Sequence, residues 1–472
     1  MDISIGKYTL ESLTSGMYLD PLSLYKEYIQ NAVDSLDEAI EAGLLQKDEG
    51  QVLISVDRET RQIVIEDNGI GVRSNNRSIL LNIGASDKPL TNRRGFRGIG
   101  RLVGLGYSRE MIFETSFMDE SMATGIAFDC DNLSKMLLPG QYDSYDLQAT
   151  LRHVTDIQLR RERKEAHYFR VTLNGVDESI LDRERIVNYI SQVAPLPYNP
   201  AHFSFGREIA AAFTRHDLAL DDYNISIRFD GEDQYRQLYK LYTDSFIIDK
   251  KKDLYDKIAG ITVQEITGES GNLIALLWHG NGNLIGSIAN NDIKGLRLRK
   301  GNIQIGDRST LGPIFKEERF NGWFQGELFV LDSLIIPNAR RDNFEKNSNY
   351  ETLISLLEPA GAALSSLVKR SSAARAKLKP TEQQLTDARA RIVDRINRMH
   401  RPDPAAIKRQ EQEHQADRQS GATKYRVLNL TTRLTVPEQK LVEKVLDILI
   451  QTCPEQELLK LIDPLLSGLD LL

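Results

Sequence analysis

The chain has little from which to build covalent or metal staples. Its 472 residues include two cysteines, Cys130 and Cys453, far apart in sequence and without the paired spacing of a disulfide framework or a zinc site. That scarcity fits a reducing compartment, and a cytoplasmic protein is expected. The seven histidines are scattered, with no HxxxH or HExxH pattern, so a histidine-built metal centre is not expected. No apolar run approaches the roughly 20 residues of a membrane-spanning helix, and no membrane partner is expected. The opening MDISIGKYTLESL lacks the basic-then-apolar order of a secretory signal. Positive charge is not in excess either: 60 Lys and Arg against 67 Asp and Glu leave a net charge of -7. This excludes coating of nucleic acid by bulk charge, though not a local basic groove.

What is present is the composition of a globular protein, 41% apolar and 27% charged, on a chain long enough for two to four domains. Residues 1–200 alternate helical and strand-like stretches. VLISVDRETRQIVIE (52–66) reads as two strands about a polar turn at 57–60, and HYFRVTLN (167–174) as another strand. Residues 201–375 read as a second α/β domain. Its strand candidates are YNISIRF (223–229), ITVQEIT (261–267), NLIALLWH (272–279), GLRLRKGNIQIG (295–306) and GELFVLDS (326–333), and a helix follows. Residues 376–430 read as an exposed helix (381–400) and a flexible linker, whose stretch 401–425 has almost no large apolar residue. Residues 431–472 read as two amphipathic helices, with Thr435 as N-cap and Pro437 in the first turn. The wide apolar face of Leu441, Val445, Leu446, Ile448 and Leu449 calls for a partner, and a homodimer is expected.

Three short stretches carry chemistry. EYIQNAVDSLDEA (27–39) places Glu27, Asn31 and Asp34 at i, i+4 and i+7, one face of a helix. EDNGIGV (66–72) sets Asp67 at a strand end, with Gly69 and Gly71 allowing close approach to a flat ligand. RRGFRGIGRLVGLG (93–106) spaces Gly95, Gly98 and Gly100 before a helix-like piece and flanks them with Arg93, Arg94, Arg97 and Arg101, which suits phosphate. No strand directly precedes it, unlike a dinucleotide fingerprint, and no GK[ST] follows, unlike a P-loop. Each stretch alone also has a plain structural reading, as a solvated helix face, a strand-to-turn junction or a glycine-rich loop.

In this order the three resemble the ExxxNAxD, DxGxG and GxxGxG signature of the ATPase superfamily shared by DNA gyrase B, the ninety-kilodalton heat-shock chaperones, the mismatch-repair clamp, microrchidia ATPases and histidine kinases, the GHKL group. The resemblance covers about the first 200 residues. It implies an α+β two-layer sandwich, the Bergerat ATP-binding fold, with ATP and Mg2+ as cofactors. By position, Glu27 would be the general base for water, Asn31 the Mg2+ ligand and Asp67 the partner of the adenine amine. Gly69 and Gly71 would shape the base pocket, and Gly95, Gly98, Gly100 and Arg101 would contact phosphate. Asp34 keeps the motif and would pin the helix. LLNIGASDK (80–88) resembles the family's lid, so Asn82, Gly84 and Lys88 are candidate phosphate contacts. Histidine kinases usually carry Asn where this chain has Glu27, which implies hydrolysis instead of phosphotransfer. Tyr168 and Phe169 stand where the chaperones carry a Gly-Thr pair, so no Thr role is carried over.

FNGWFQGELFVLDSLIIPNARRDNFE (320–345) resembles the chaperones' middle domain around its catalytic loop. There Asn338 and Arg341 match an Asn that precedes an Arg by three, and Arg341 would be an arginine finger. Arg340 is the rival, as are Lys294, Lys300 and Lys316, since other branches use lysine. The resemblance implies an ATP-gated dimeric clamp with protein clients. A DNA-associated clamp of the mismatch-repair or microrchidia kind is the second expectation, with basic stretches at 93–101, 160–164 and 369–378. A scaffold gated by ATP is the third.

Overall fold

The computed structural model describes residues 5–13, 20–82, 100–140 and 142–378. Gly84, Lys88, Gly95, Gly98, the linker and the C-terminal amphipathic segment lie outside the described residues. Two compact units emerge from the packing. Of the described residues, the larger holds those up to 255, 260–280 and 286–365; the smaller holds 256–259, 281–285 and 366–378.

The larger unit begins with α1 (Tyr8–Leu13) and α2 (Ser23–Glu41). An eight-stranded sheet follows, formed by β1 (Gln51–Asp57), β2 (Gln62–Asp67), β3 (Glu110–Ser116), β4 (Met122–Asp129), β5 (Thr155–Arg161), β6 (Tyr168–Asn174), β7 (Asn224–Phe229) and β8 (Arg236–Gln237). Its order is β5-β4-β3-β6-β2-β1-β7-β8. Every neighbouring pair is antiparallel except β1 with β7, which is parallel. Strict alternation gives the sheet one apolar face: Val52, Ile54 and Val56 of β1 and Ile63 and Ile65 of β2 are buried. Leu24, Tyr25, Tyr28, Ile29, Val33 and Leu36 of α2 share one apolar core with these strands. α3 (Cys130–Leu137), α4 (Leu147–Val154) and α5 (Arg183–Val193) are each capped by an aspartate, Asp129, Asp146 and Asp182, which accepts a backbone N–H in the first turn.

One strand sits elsewhere than expected. YNISIRF reads as a strand of the second domain, yet β7 is hydrogen-bonded along β1, Val52 opposite Ile225 and Ile54 opposite Ile227. Its burial explains the placement. Ile225, Ser226 and Ile227 are all buried, as in an interior strand of a mixed sheet.

After α6 (Gly206–Thr214) come β9 (Ser245–Asp249) and β10 (Leu254–Lys257). A second, five-stranded sheet then joins β11 (Gly260–Thr267), β12 (Leu273–Asn281), β13 (Gly295–Lys300), β14 (Ile303–Ile305) and β15 (Gln325–Val330) in the order β11-β12-β15-β13-β14. The stretch GLRLRKGNIQIG is a hairpin, because Gly301 and Asn302 both turn through positive φ, 53° and 58°. The chain described ends in α7 (Ser348–Leu378).

The interior of the second sheet contains charge. Glu327 in β15 is fully buried and receives Lys240 Nζ on both oxygens at 2.8 Å, Trp278 Nε1 at 3.2 Å, and short contacts from Arg299 Nε and the Tyr198 hydroxyl. Arg299 in β13 also donates to the carbonyls of Gln192 at 2.8 Å and Asn302 at 2.9 Å. Burial works to raise the Glu327 carboxyl, but Arg299 and Lys240 overcome it and hold it down at about 2. This network ties the end of α5 to the central strands of the second sheet.

In the smaller unit, buried Asp256 accepts backbone N–H bonds from Lys257 at 2.8 Å, Asn283 at 3.1 Å and Ile285 at 3.3 Å. Ser371 and Arg375 of α7 donate to the carbonyls of Asn283 and Leu284. Among the described residues no helix is long and apolar enough to cross a membrane.

Candidate active site

α2 is the spine of the site. Its first turn has no side-chain cap of its own, and Asp20 serves instead by accepting the Leu22 N–H at 3.0 Å. Along the helix, Glu27 is 5% exposed and Asp34 fully buried, whereas Asn31 is half-buried and so open on one side. A solvated helix face would leave all three wet, so the plain reading of this stripe does not hold.

The loop after β2 is moulded onto that helix. Asp67 Oδ1 accepts the Gly69 N–H at 2.9 Å, and the Ile70 N–H bonds the Ser35 carbonyl at 3.1 Å. A Cβ on Gly69 would lie 2.2 Å from Ser35 Oγ, so only glycine lets the loop meet the helix this closely. Gly71 has a φ of +70°, and a Cβ there would lie 1.9 Å from the Ser116 carbonyl oxygen. The Val72 N–H donates to Thr115 Oγ1 at 2.9 Å, and that hydroxyl donates to the Tyr168 carbonyl at 2.9 Å. His167 Nδ1 lies 2.8 Å from the Gly69 carbonyl. The loop is thereby fixed against β3 and β6, the latter carrying Tyr168 and Phe169.

The glycine stretch meets the helix at its near end. A Cβ on Gly100 would lie 2.0 Å from Glu27 Oε2. Residues Gly100–Gly106 form a 3-10 turn whose Gly104 N–H donates to the Tyr28 hydroxyl at 2.9 Å. Arg101 donates to the Asn82 carbonyl at 2.9 Å, which joins two candidate phosphate contacts.

From the second half of the unit, Arg341 reaches the same spot. Its Nε lies 3.7 Å from Glu27 Oε1, with the arginine side chain 14% exposed. The backbone that delivers it is a tight turn. Arg341 has a φ of +55°, its carbonyl accepts the Gly306 N–H at 2.9 Å, and its N–H donates to Asn338 at 3.1 Å. Asn338 Nδ2 donates to Asp342 Oδ1 at 2.6 Å. Arg340, more than half exposed, pairs with Asp342 at 3.0 Å. Lys300 donates to the Asp332 carbonyl at 2.5 Å, and burial pushes its ammonium down to about 8. Lys294 packs beside Gly322, and Lys316 takes part through its backbone, which donates to Ser365.

Two neighbours escaped sequence reasoning. Lys26 is buried beside Glu27; burial, then the Arg341 guanidinium, pushes its ammonium down to about 7, while Glu27 opposes the shift. Gln30 is buried on the same side of the helix. A charge next to ExxxN is the signal for the first, and a carboxamide among apolar helix positions the signal for the second.

A family model described as Histidine kinase-, DNA gyrase B-, and HSP90-like ATPase matches residues 23–152. Residues 23–152 are an ATPase domain of this kind. The matched segment of the ATPase domain runs from the first turn of α2 through α4 and so contains Glu27, Asn31, the Asp67 loop and Gly100. No curated protein matches the chain. Among the described residues no cluster of three His, Cys, Asp or Glu side chains is set to hold a metal ion. Half-buried Asn31 beside Glu27 fits an ion that takes most of its ligands from phosphate and water, as Mg2+ does.

Proposed function

We propose that the chain is a Mg2+-dependent ATP hydrolase that works as an ATP-gated dimeric clamp with protein clients. The observation that carries this reading is the meeting of Glu27 and Arg341 at 3.7 Å, a carboxylate on helix α2 and a guanidinium on the turn that follows β15. In the proposed reaction Glu27 Oε1 or Oε2 takes a proton from water as its oxygen attacks the γ-phosphorus. Arg341 turns from Glu27 to the γ-phosphoryl oxygens and offsets their charge. Buried Asp67 would accept the adenine amine, and Asn31 Oδ1 would hold the ion. Bound Mg2+ would neutralise triphosphate charge and orient the phosphates. Gly84, Lys88, Gly95 and Gly98, outside the described residues, are the further candidate phosphate contacts. Arg340, turned to Asp342, is the weaker candidate for the finger.

A second reading, a DNA-associated clamp, draws on the edge strand β5 and the turn after it, where Arg160, Arg161 and Lys164 are exposed. ATP turnover measured with the full chain, Glu27→Ala and Arg341→Ala, each with DNA and with an unfolded protein, tests both. Hydrolysis lost in Glu27→Ala and raised by unfolded protein supports the chaperone-like clamp. Stimulation by DNA alone, weakening with salt, moves the assignment to the second reading. Turnover equal in wild type and Glu27→Ala would sink the ATPase mechanism.

A further inference from the structure

Gln30 follows Glu27 by three residues and precedes Asp34 by four, so its side chain neighbours both on the helix surface. It is 1% exposed, and neither Oε1 nor Nε2 has a hydrogen-bond partner among the described residues. Burial of an unpaired carboxamide costs stability that Leu or Met would not cost. The rest of this side of α2 is engaged. Glu27 faces Arg341, and Asp37 accepts the Tyr223 hydroxyl at 2.7 Å. A donor and an acceptor are thus held dry and unused beside the carboxylate assigned to the water.

Resting on the ATPase reading, we propose that Gln30 is the second group that holds the attacking water. The water gives one proton to Glu27 and hydrogen-bonds the other to Gln30 Oε1, which leaves its lone pair aimed at the γ-phosphorus. Gln30 Nε2 donates to a γ-phosphoryl oxygen. The new bond is water oxygen to phosphorus; the bond that breaks joins phosphorus to the β,γ-bridging oxygen, whose electron pair leaves with ADP. The proton on Glu27 passes to the products, and Gln30 exchanges none. Glutamine suits this task because it offers both hydrogen-bond senses without charge.

The test uses the full chain as wild type, Gln30→Leu and Gln30→Met. Steady-state turnover, ATP affinity by calorimetry and nucleotide-free Tm are compared. The expected result is a kcat lowered at least tenfold, ATP affinity within threefold, and a Tm equal to or above that of wild type. The opposed signs mark a group kept for chemistry, since a structural glutamine would lower Tm when replaced. A kcat within tenfold of wild type, or a Tm lowered in both variants, overturns the proposal. A wild type that binds and hydrolyses no ATP overturns the ATPase reading itself, which sets that failure apart from one confined to Gln30.

Discussion

Two arginine–glutamate pairs in this protein differ in almost every physical respect. Arg299 and Glu327 are sealed inside the second sheet, and the carboxylate is served by Lys240, Tyr198 and Trp278 as well. Arg341 and Glu27 stand 3.7 Å apart, beyond hydrogen-bond length, with Gln30 and Asn338 Oδ1 unsatisfied nearby. The first pair leaves nothing over for a ligand. The second is held by charge alone, on a turn whose arginine has a positive φ. A saturated network fixes how the two sheets sit, and it lets the unsaturated one be presented accurately.

The sharpest way to break this contrast is Glu327→Ala, which leaves Arg299 and Lys240 buried without a counter-charge. Unfolding free energy should fall by about 3–5 kcal/mol in denaturant titrations. Arg341→Ala should leave stability nearly unchanged but lower ATP turnover about a hundredfold, roughly 2.7 kcal/mol of activation free energy, with ATP affinity little altered. Arg340→Ala, in the same assay, should stay within about twofold. A milder cut is Gly100→Ala, whose Cβ must displace the Glu27 carboxylate; turnover should drop roughly tenfold without any change of charge.

A further prediction concerns pH. The folded Lys26 ammonium lies at about 7 against an ordinary 10.5, so between those values the unfolded chain binds a proton that the folded chain does not. Stability should therefore rise as pH increases from about 7 toward 10 and be flat just below 7. Lys300, pushed down to about 8, adds a slope of the same sign. Lys26→Met should flatten part of this rise in Tm measured across buffers, and an unchanged slope would show that Lys26 is not the source.

Much of this was legible in the sequence because it is local. The helix with Glu27, Asn31 and Asp34, the hairpin of β1 and β2, and the glycines whose Cβ atoms would collide with the helix or with β3 follow from periodicity and turn chemistry. The charged core was not legible. Arg297 and Arg299 are buried, yet nothing in GLRLRKGN says that β13 lies between two neighbours. The usable signal was Glu327, a lone carboxylate in a strand that is apolar from Leu328 to Val330. The placement of β7 escaped for a similar reason. A strand's pattern tells which face is buried, whereas the partner it pairs with depends on chain returning from far away.

That pairing bears on how the protein can be divided. A fragment cut near residue 200 would strip β1 of its parallel neighbour and leave Gln51–Val56 as a raw edge beside apolar β2. Such a truncation would tend to self-associate, and its inactivity would say nothing about the residues around Glu27. A self-contained N-terminal piece must run past β8, to residue 237 at least.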